Sequence, residues 1–338
     1  MFLGTLAACG GGGGGTTATT QTTIASTPDV PPAPAPAPAP APSPAPAPAP
    51  VPFPAGSPEA ASIERLNDER GRCGFGTLRM DGKLNQAAFN HVNFNAYQAS
   101  LGNWTWHIEI LGQPYFTGFT LFDRALHVGY TYRELWENMT TAVWTNVTGQ
   151  PNLGDMAVFA DDVTRGLLTT VYHLRGMMVQ TNDVGVAALH QQYGTTVVRA
   201  YVMELGAKIG ETGPAAQTGV LHYPCQGTTA AKAVFKPSDE VPNPRPGHGG
   251  TLGTPIYLRA PAGETISISS QQITVLSSGA PVAAQVMTSA NDPAGELGRS
   301  DAFVVPDAAL TPGVTYRVRV SGMAGSIAFS KDYTFTPS

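Results

Sequence analysis

The chain has 338 residues and a formal net charge of −5, and only 13% of its side chains are charged. It carries no basic stripe, which argues against nucleic acid as a partner. No apolar run approaches the roughly 18 residues that a membrane-spanning helix needs.

The N-terminus predicts a lipid anchor. The segment Leu6-Ala7-Ala8-Cys9 resembles the lipobox of bacterial lipoproteins, in which the cysteine becomes the lipidated first residue. Residues 1–9 are too short for an export signal and contain no basic residue, so we expect them to be the end of a truncated signal peptide. Gly10 after the cysteine favours an exported outer-membrane or cell-surface lipoprotein. The alternatives are a secreted or periplasmic protein, and a chance apolar start on a cytosolic one.

Residues 10–56 are predicted to be a linker. Glycines and a Thr-rich stretch precede a run from Pro28 to Pro54 in which proline alternates with alanine. Such a run lacks amide donors, cannot bury a core and favours the polyproline II conformation. At about 3.1 Å per residue it spans roughly 80 Å. We expect a disordered tether that holds a domain away from a membrane; a generic interdomain linker is the alternative.

The cysteines predict one disulfide bond. The chain has three cysteines, and if Cys9 carries lipid, Cys73 and Cys225 remain. An even remainder in an exported chain implies that the two are bonded. The bond would close a loop of about 150 residues and contribute on the order of 5 kcal/mol in the chain-entropy model. Two buried free thiols are the alternative.

Residues 57–205 read as helices and short strands. Ser57-Pro58-Glu59 has the hydroxyl cap, early proline and acid of a helix start. Asp81 can cap a second helix whose inner stripe contains His91, which we interpret as a core residue. Residues 101–135 form a long aromatic stretch with one short helix at Phe122 to Val128.

The second half of this region is less regular in pattern. Met139 to Val147 fits a strand or a helix, and Asp162 can begin a helix that continues to Val171. Val184 to Ala187 and Val197 to Val202 are β-rich. Helices on a short antiparallel sheet predict an α+β or sandwich architecture.

The C-terminal part changes composition. Residues 206–250 are rich in Gly, Pro, Thr and Ser and predict an irregular extension held by Cys225. Residues 251–338 predict an all-β sandwich. The predicted strands are Ile256 to Arg259, Thr265 to Ile268, Ile273 to Leu276, Val282 to Met287, Ala302 to Val305, Tyr316 to Val320 and Ser326 to Phe329. The segment Leu310 to Val320 resembles the corner of immunoglobulin-like domains, in which a tyrosine, here Tyr316, bonds to upstream backbone.

A spaced series of polar residues stands out between Leu66 and Val186. Imidazole and carboxylate groups that converge from different elements form metal sites or acid/base sites. The series consists of His107, Asp123-Arg124, Glu137-Asn138, Asp162 and His173-Leu174-Arg175.

Residues about 60–205 resemble the CAP superfamily (cysteine-rich secretory proteins, antigen 5 and pathogenesis-related 1), in particular its bacterial SCP-like branch. The order of the motifs is that of the family along the whole region. The matching segments are Leu66-Asn67-Asp68-Glu69-Arg70, Leu84, Ala87-Ala88-Phe89-Asn90-His91, His107, Phe122-Asp123-Arg124, Gly129-Tyr130, Trp136-Glu137-Asn138, Tyr172-His173-Leu174-Arg175 and Asp183-Val184-Gly185-Val186.

The resemblance implies an α-β-α sandwich at 57–205 with a cleft that holds two histidines and two acids. On this chain the resemblance places the two histidines at His107 and His173 and the two acids at Glu137 and Asp162. Asp161 is an alternative to Asp162, and Glu109 could replace it if the chain turns back. Trp136 and Tyr172 stand where the family has glycine, and the second acid is shortened to aspartate.

Three functions follow from the resemblance. Two imidazoles and two carboxylates suit zinc or another divalent metal, and the alternative is a hydrogen-bonded polar cluster. We expect a binding protein for a lipid or an envelope component rather than an enzyme; the alternatives are a metal-dependent hydrolase or protease and an adhesive surface module. The residues expected to line the cleft, unless they are ordinary core, are Trp104, Trp106, Tyr115, Phe116 and Phe119.

Overall fold

The structure is a computed structural model that describes residues 53–149, 153–213 and 216–338. The lipobox with Cys9 and all of the linker before Phe53 lie outside the described residues, so the predictions for them stay predictions. Of the helices in the described part, none combines the length and the hydropathy that a membrane span requires.

The helices begin where polar side chains cap them. Ser57 accepts a hydrogen bond from the Ala60 amide and Asp81 accepts from the Lys83 and Leu84 amides, so both predicted helix starts are confirmed. The helices are α1 (Pro58–Arg72), α2 (Gly82–Ser100), α3 (Leu121–His127), α4 (Met156–Leu167) and α5 (Tyr172–Met177).

The predicted helix start at Asp162 is wrong. The cap of α4 is Asp155, whose carboxylate accepts from the amides of Ala157 and Val158. The helix therefore begins at Met156, and Asp162 lies inside it. In the sequence, an acid inside a helix cannot be distinguished from an acid at the N-cap when only a short apolar pattern precedes it.

The strands alternate with these helices and then dominate the chain. The ambiguous segment after Met139 is part of a strand. In chain order the strands are β1 (Arg79–Met80), β2 (Tyr132–Trp144), β3 (Asp183–Tyr193), β4 (Thr196–Lys208), β5 (Leu221–Tyr223), β6 (Val234–Phe235), β7 (Leu252–Gly253), β8 (Ile256–Arg259), β9 (Ile266–Val275), β10 (Pro281–Val282), β11 (Ala284–Thr288), β12 (Asp301–Pro306), β13 (Tyr316–Ala324) and β14 (Ile327–Phe335).

The first sheet has the order β1-β3-β4-β2 and carries helices on both faces. Side chains of β4 alternate between the two faces, as the period of a strand requires. Tyr201, Met203 and Leu205 pack with α1 and α4 on one face. Val198, Ala200 and Val202 pack with α2 on the other. The predicted mixed α/β class, with antiparallel sheets, is therefore confirmed.

Gly185 permits the close approach of α2 to this sheet. A Cβ atom at this position of β3 would collide with the backbone of Leu84 and Asn85. The Asn85 side-chain oxygen also accepts a hydrogen bond from the Val186 amide at 3.1 Å, which ties α2 to β3. Only glycine allows helix and strand to meet here.

The C-terminal part contains two four-stranded sheets with the orders β10-β9-β13-β14 and β11-β12-β8-β5. Their inner faces share one apolar cluster, which includes Leu258, Val304 and Val318. The two predicted strands at 265–268 and 273–276 are one strand, β9, because β13 pairs with it along its length across a bulge. β5 belongs to the second sheet, so the extension predicted to be irregular contributes a strand.

The two parts share a hydrophobic core, and the disulfide lies within it. Leu66 of α1 and Phe303 of β12 belong to the same buried cluster, which also contains both bonded cysteines. Cys73 and Cys225 are joined with a Cα–Cα distance of 5.4 Å. The predicted disulfide is therefore present in the structure.

Reduction of this disulfide is expected to destabilise the protein. It closes a loop with a sequence separation of 152 residues. The double substitution Cys73→Ser/Cys225→Ser should lower the free energy of unfolding by about 5 kcal/mol, because the unfolded chain regains entropy. Denaturant unfolding of the variant and of a Cys9→Ser control measures this, and equal midpoints would contradict it.

Tyr316 makes the corner contact that the sequence predicts. Its buried hydroxyl accepts a hydrogen bond from the Thr311 amide at 2.9 Å. The ring packs on Phe335, with the two ring centres 6.1 Å apart. The contact fixes the chain as it enters β13.

Tyr316→Phe is expected to lower the free energy of unfolding by about 1 kcal/mol, since one hydrogen bond is lost. Tyr333 offers a matched control, because its buried hydroxyl has no hydrogen-bond partner among the described residues. Tyr333→Phe should leave stability unchanged or raise it. Thermal and denaturant unfolding of both variants test the difference, and equal losses would show that the Tyr316 hydroxyl has no special role.

Candidate functional site

Three of the four predicted cleft residues line one cavity. The cavity has a volume of about 260 Å³. Its walls include His107 from the loop between α2 and α3, Glu137 from β2 and His173 from α5. The other lining residues are Leu121, Leu135, Trp136, Asn138, Tyr172, Gly176, Val241, Pro242 and Glu296. The last three come from the C-terminal half of the chain.

Glu137 is held by a cation and by an imidazole. Its Oε2 accepts from Arg124 at 2.5 Å, and its Oε1 lies 2.9 Å from His107 Nδ1. Arg124 is completely buried and also donates to the His107 carbonyl at 3.1 Å. The His107 side chain is 41% exposed, whereas that of Glu137 is 2% exposed. His107 is therefore the solvent-accessible side chain next to the buried ion pair of Arg124 and Glu137.

This ion pair controls the ionisation of Glu137. Burial alone would raise the pKa of Glu137, but the charge of Arg124, followed by His91 and His107, outweighs it and lowers the pKa. Glu137 is thus an anion over the whole physiological range of pH. Such a carboxylate can orient an imidazole but is a weak proton acceptor.

Local sequence explains how Arg124 reaches this position. Thr120 and Asp123 form a reciprocal capping box that fixes the first turn of α3. Arg124 follows directly and points inward, because Ala125 and Arg124 are the buried residues of this helix. The Phe-Asp-Arg sequence therefore supplies both a cap and a buried cation.

His91 extends the same cluster. Its Nδ1 lies 2.9 Å from Glu109 Oε1, and its Nε2 lies 3.0 Å from the Trp106 carbonyl. Its Nε2 is also 3.7 Å from Glu137 Oε1. His91 is therefore buried and hydrogen-bonded, as expected of a core residue. The Glu109 carboxylate accepts from the Thr117 amide and is not among the groups that line the cavity.

Glu204 is an acid that sequence reasoning missed. It lies on β4 directly opposite Glu137 on β2 and is fully buried. Neither of its carboxyl oxygens has a hydrogen-bond partner among the described residues. Burial, and then the charge of Glu137, raise its pKa well above the usual value. The signal in the sequence is an acid inside the apolar run from Val197 to Ala207.

His173 depends on a second acid that was missed, Glu240. The amides of Val171, Tyr172 and His173 donate to the Glu240 carboxylate at 2.7 to 3.0 Å. Glu240 Oε1 also lies 3.0 Å from His173 Nδ1. α5 has no side-chain cap of its own, so this remote carboxylate replaces one. No local sequence pattern around Glu240 predicts this capping role.

Asp162 lies outside the cavity that holds His107 and Glu137. Its side chain is 63% exposed and forms an ion pair of 2.9 Å with Lys232. It shares a different cavity, of about 410 Å³, with His173. Its rival Asp161 pairs with Arg65 of α1 at 2.7 Å. The structure thus brings together His107, Glu137 and His173 in one cavity, and neither aspartate lines that cavity.

The aromatic residues near the cavity differ from those expected. Trp136 and Tyr172 line it. The guanidinium of Arg175 stacks over the Trp136 ring at 4.4 Å. The residues expected to line the cleft are absent from its walls: Trp104, Trp106, Tyr115, Phe116 and Phe119.

A metal ion would meet an unfavourable arrangement here. The carboxylate of Glu137 already pairs with Arg124, whose positive charge opposes a second cation. Among the described residues, no group of three or more His, Cys, Asp or Glu side chains is placed to hold a metal ion. Binding of zinc or another divalent metal stays a prediction.

Comparison of the chain with protein-family models and with curated sequences finds no match. The resemblance to the CAP superfamily therefore remains an expectation that rests on the motifs themselves.

The buried pair of acids predicts a pH dependence of stability. Because the folded-state pKa of Glu204 is raised, the unfolded chain releases this proton first as the pH rises above about 4.3. The wild-type protein should then lose up to about 1.4 kcal/mol per pH unit from this group. Glu204→Gln should remove that loss, so its advantage over the wild type should grow from pH 5 to pH 8.

Glu64→Gln on the exposed face of α1 is the matched control and should leave the pH profile unchanged. Denaturant unfolding at several pH values measures all three proteins. Parallel profiles for wild type and Glu204→Gln would show that Glu204 is not held in its neutral form.

Proposed function

We propose that this chain is an envelope-anchored CAP-domain protein that binds a lipid or another envelope component in the cavity between His107 and His173. The observation that carries the proposal is the convergence of His107, Glu137 and His173, three residues far apart in the chain, on one cavity. Anchoring through Cys9 and export of the protein belong to the same proposal and rest on the N-terminal sequence.

The arrangement of layers supports the CAP assignment. Helices α1 and α4 cover one face of the first sheet and α2 covers the other, as in an α-β-α sandwich. The two C-terminal sheets and the corner at Tyr316 support an immunoglobulin-like domain. Both assignments are finer than the mixed α/β class and form part of the proposal.

The lining of the cavity suits a ligand with a small polar group beside an apolar part. Its imidazoles and Asn138 can donate or accept hydrogen bonds, whereas Leu135 and Trp136 offer apolar contact. A volume of about 260 Å³ is close to the lower end of the range for ligand pockets. The cavity therefore fits a headgroup or the end of a chain rather than a whole lipid.

Binding is favoured over hydrolysis by the state of Glu137. Its carboxylate is committed to Arg124 and has a lowered pKa, so it is a poor general base. Besides Glu137, the carboxylate that lines the cavity is that of Glu296 from the C-terminal part. The geometry supports recognition through hydrogen bonds more than it supports proton transfer.

Alanine substitution of the two cavity histidines tests the proposal. His107→Ala and His173→Ala should each lower the amount of co-purifying organic ligand by about tenfold, equivalent to about 1.4 kcal/mol. His127→Ala, on the exposed side of α3, is the matched control and should keep the ligand. Organic extraction and mass spectrometry of protein purified without chelators measure the content.

Metal analysis of the same preparations separates the alternatives. Stoichiometric zinc that is lost in both histidine variants, together with loss of a hydrolytic activity, would support the hydrolase and contradict the binding proposal. Equal ligand content in all four proteins would show that the cavity is not the binding site.

A further inference from the structure

The aromatic stretch that follows α2 exposes a cluster of large apolar side chains. We name Leu101, Trp104, Ile110, Leu111 and Tyr115 the apolar tip. Leu111 is 79% exposed, and the other four are between 43% and 57% exposed. Exposed apolar side chains that are grouped in this way mark an interaction surface. None of the five lines the cavity described above.

The loop that carries three of the tip residues, Ile110, Leu111 and Tyr115, is closed and pinned at its neck. The Glu109 amide donates to the Phe119 carbonyl at 3.0 Å, so the two ends of the loop meet. The buried Glu109 carboxylate accepts from the Thr117 amide at 2.6 Å and from the Gly118 amide at 3.2 Å. The loop is therefore a compact unit held from inside the protein.

Contacts with the end of α2 join the tip into one patch. The Tyr115 ring meets the Tyr97 ring edge-on, with the ring centres 5.7 Å apart. The side-chain amides of Gln98 and Gln113 lie 3.4 Å apart. The Trp104 ring stacks on Trp106, which packs against the core beneath α2.

Backbone strain also occurs in this segment. Trp106 and Tyr115 adopt positive φ angles of 46° and 66°. Bulky residues rarely adopt this left-handed conformation, and such strain persists only where surrounding contacts enforce it. The stacked rings and the pinned neck supply those contacts, so the exposed positions are fixed before any partner arrives.

The charge of the segment restricts the partner. Between residues 92 and 122 the ionisable side chains of Asp, Glu, Lys, Arg and His are limited to His107 and Glu109. Glu109 is buried, and His107 belongs to the cavity. The tip therefore offers no exposed charge to an anionic lipid, to a nucleic acid or to an oppositely charged protein.

We propose that the apolar tip inserts into the interfacial layer of an uncharged lipid bilayer. Its aliphatic side chains suit the acyl region, and Trp104 and Tyr115 have the apolar body and polar end that suit the headgroup boundary. The five side chains expose on the order of 500 Å², taking about 200 Å² for one large side chain. That is less than the roughly 800 Å² per partner of a standard protein interface, which disfavours a second copy of the chain.

Vesicle co-sedimentation tests this proposal on the full chain with Cys9→Ser, which removes any acyl anchor. With phosphatidylcholine vesicles, the protein should bind, and its binding should persist in 1 M salt because no charge takes part. Leu111→Asp should weaken binding at least tenfold. Ile327→Asp, at a position of β14 that is 72% exposed, is the matched control and should bind like the parent.

Each other outcome overturns the proposal. Absence of vesicle binding by the parent, equal binding by Leu111→Asp, or loss of binding in high salt would do so. So would concentration-dependent dimerisation that Leu111→Asp abolishes, or binding to neutral polysaccharide in place of vesicles. His107→Ala should still bind vesicles, so failure of the cavity proposal and failure of this one are distinguishable.

Discussion

The buried ion pair between Arg124 and Glu137 is the interaction on which the rest of the site depends. It joins α3 to β2, and through the His107 carbonyl it also fixes the loop that carries the accessible imidazole. Removal of one partner from such a pair costs about 3 to 5 kcal/mol, because the other charge stays buried. Glu109 and Glu204 lie close to the same guanidinium, so one cation compensates a region that holds three carboxyl groups. Burial and the charge of Glu137 raise the pKa of Glu204, which favours its neutral form in this region.

Sequence predicts the parts of this fold that local chemistry decides. Caps at Ser57 and Asp81, the β-rich run from Val197 to Val202 and the corner at Tyr316 are each set within a few residues, and each is present in the structure. Contacts between residues far apart in the sequence could not be predicted. Glu240 lies far from α5 in sequence, and no periodicity links it to the helix that it caps. The sequence distance between Asp162 and His173 does not fix the face of α4 on which Asp162 lies.

Trp136 and Tyr172 have a common structural consequence. Trp136 supports the guanidinium of Arg175, which also pairs with Asp301 of β12 at 2.7 Å. The Tyr172 hydroxyl donates to Asp292, which precedes β12. Both residues therefore connect the wall of the cavity to the C-terminal sheets. Through the ring beneath Arg175 and the hydroxyl that reaches Asp292, the wall of the cavity and the C-terminal part form one structural unit.

The apolar tip and the cavity are two ends of one buried network. Glu109 pins the neck of the tip, while His91 and Arg124 connect it to Glu137 in the wall of the cavity. A network of fully buried side chains resists small displacements, because each shift would leave a charged group without its partner. The position of the tip is therefore set by the same charges that set the position of His107. The proposed insertion into a bilayer and the proposed binding of a lipid headgroup would both require preorganisation, and this single cluster would provide it for both.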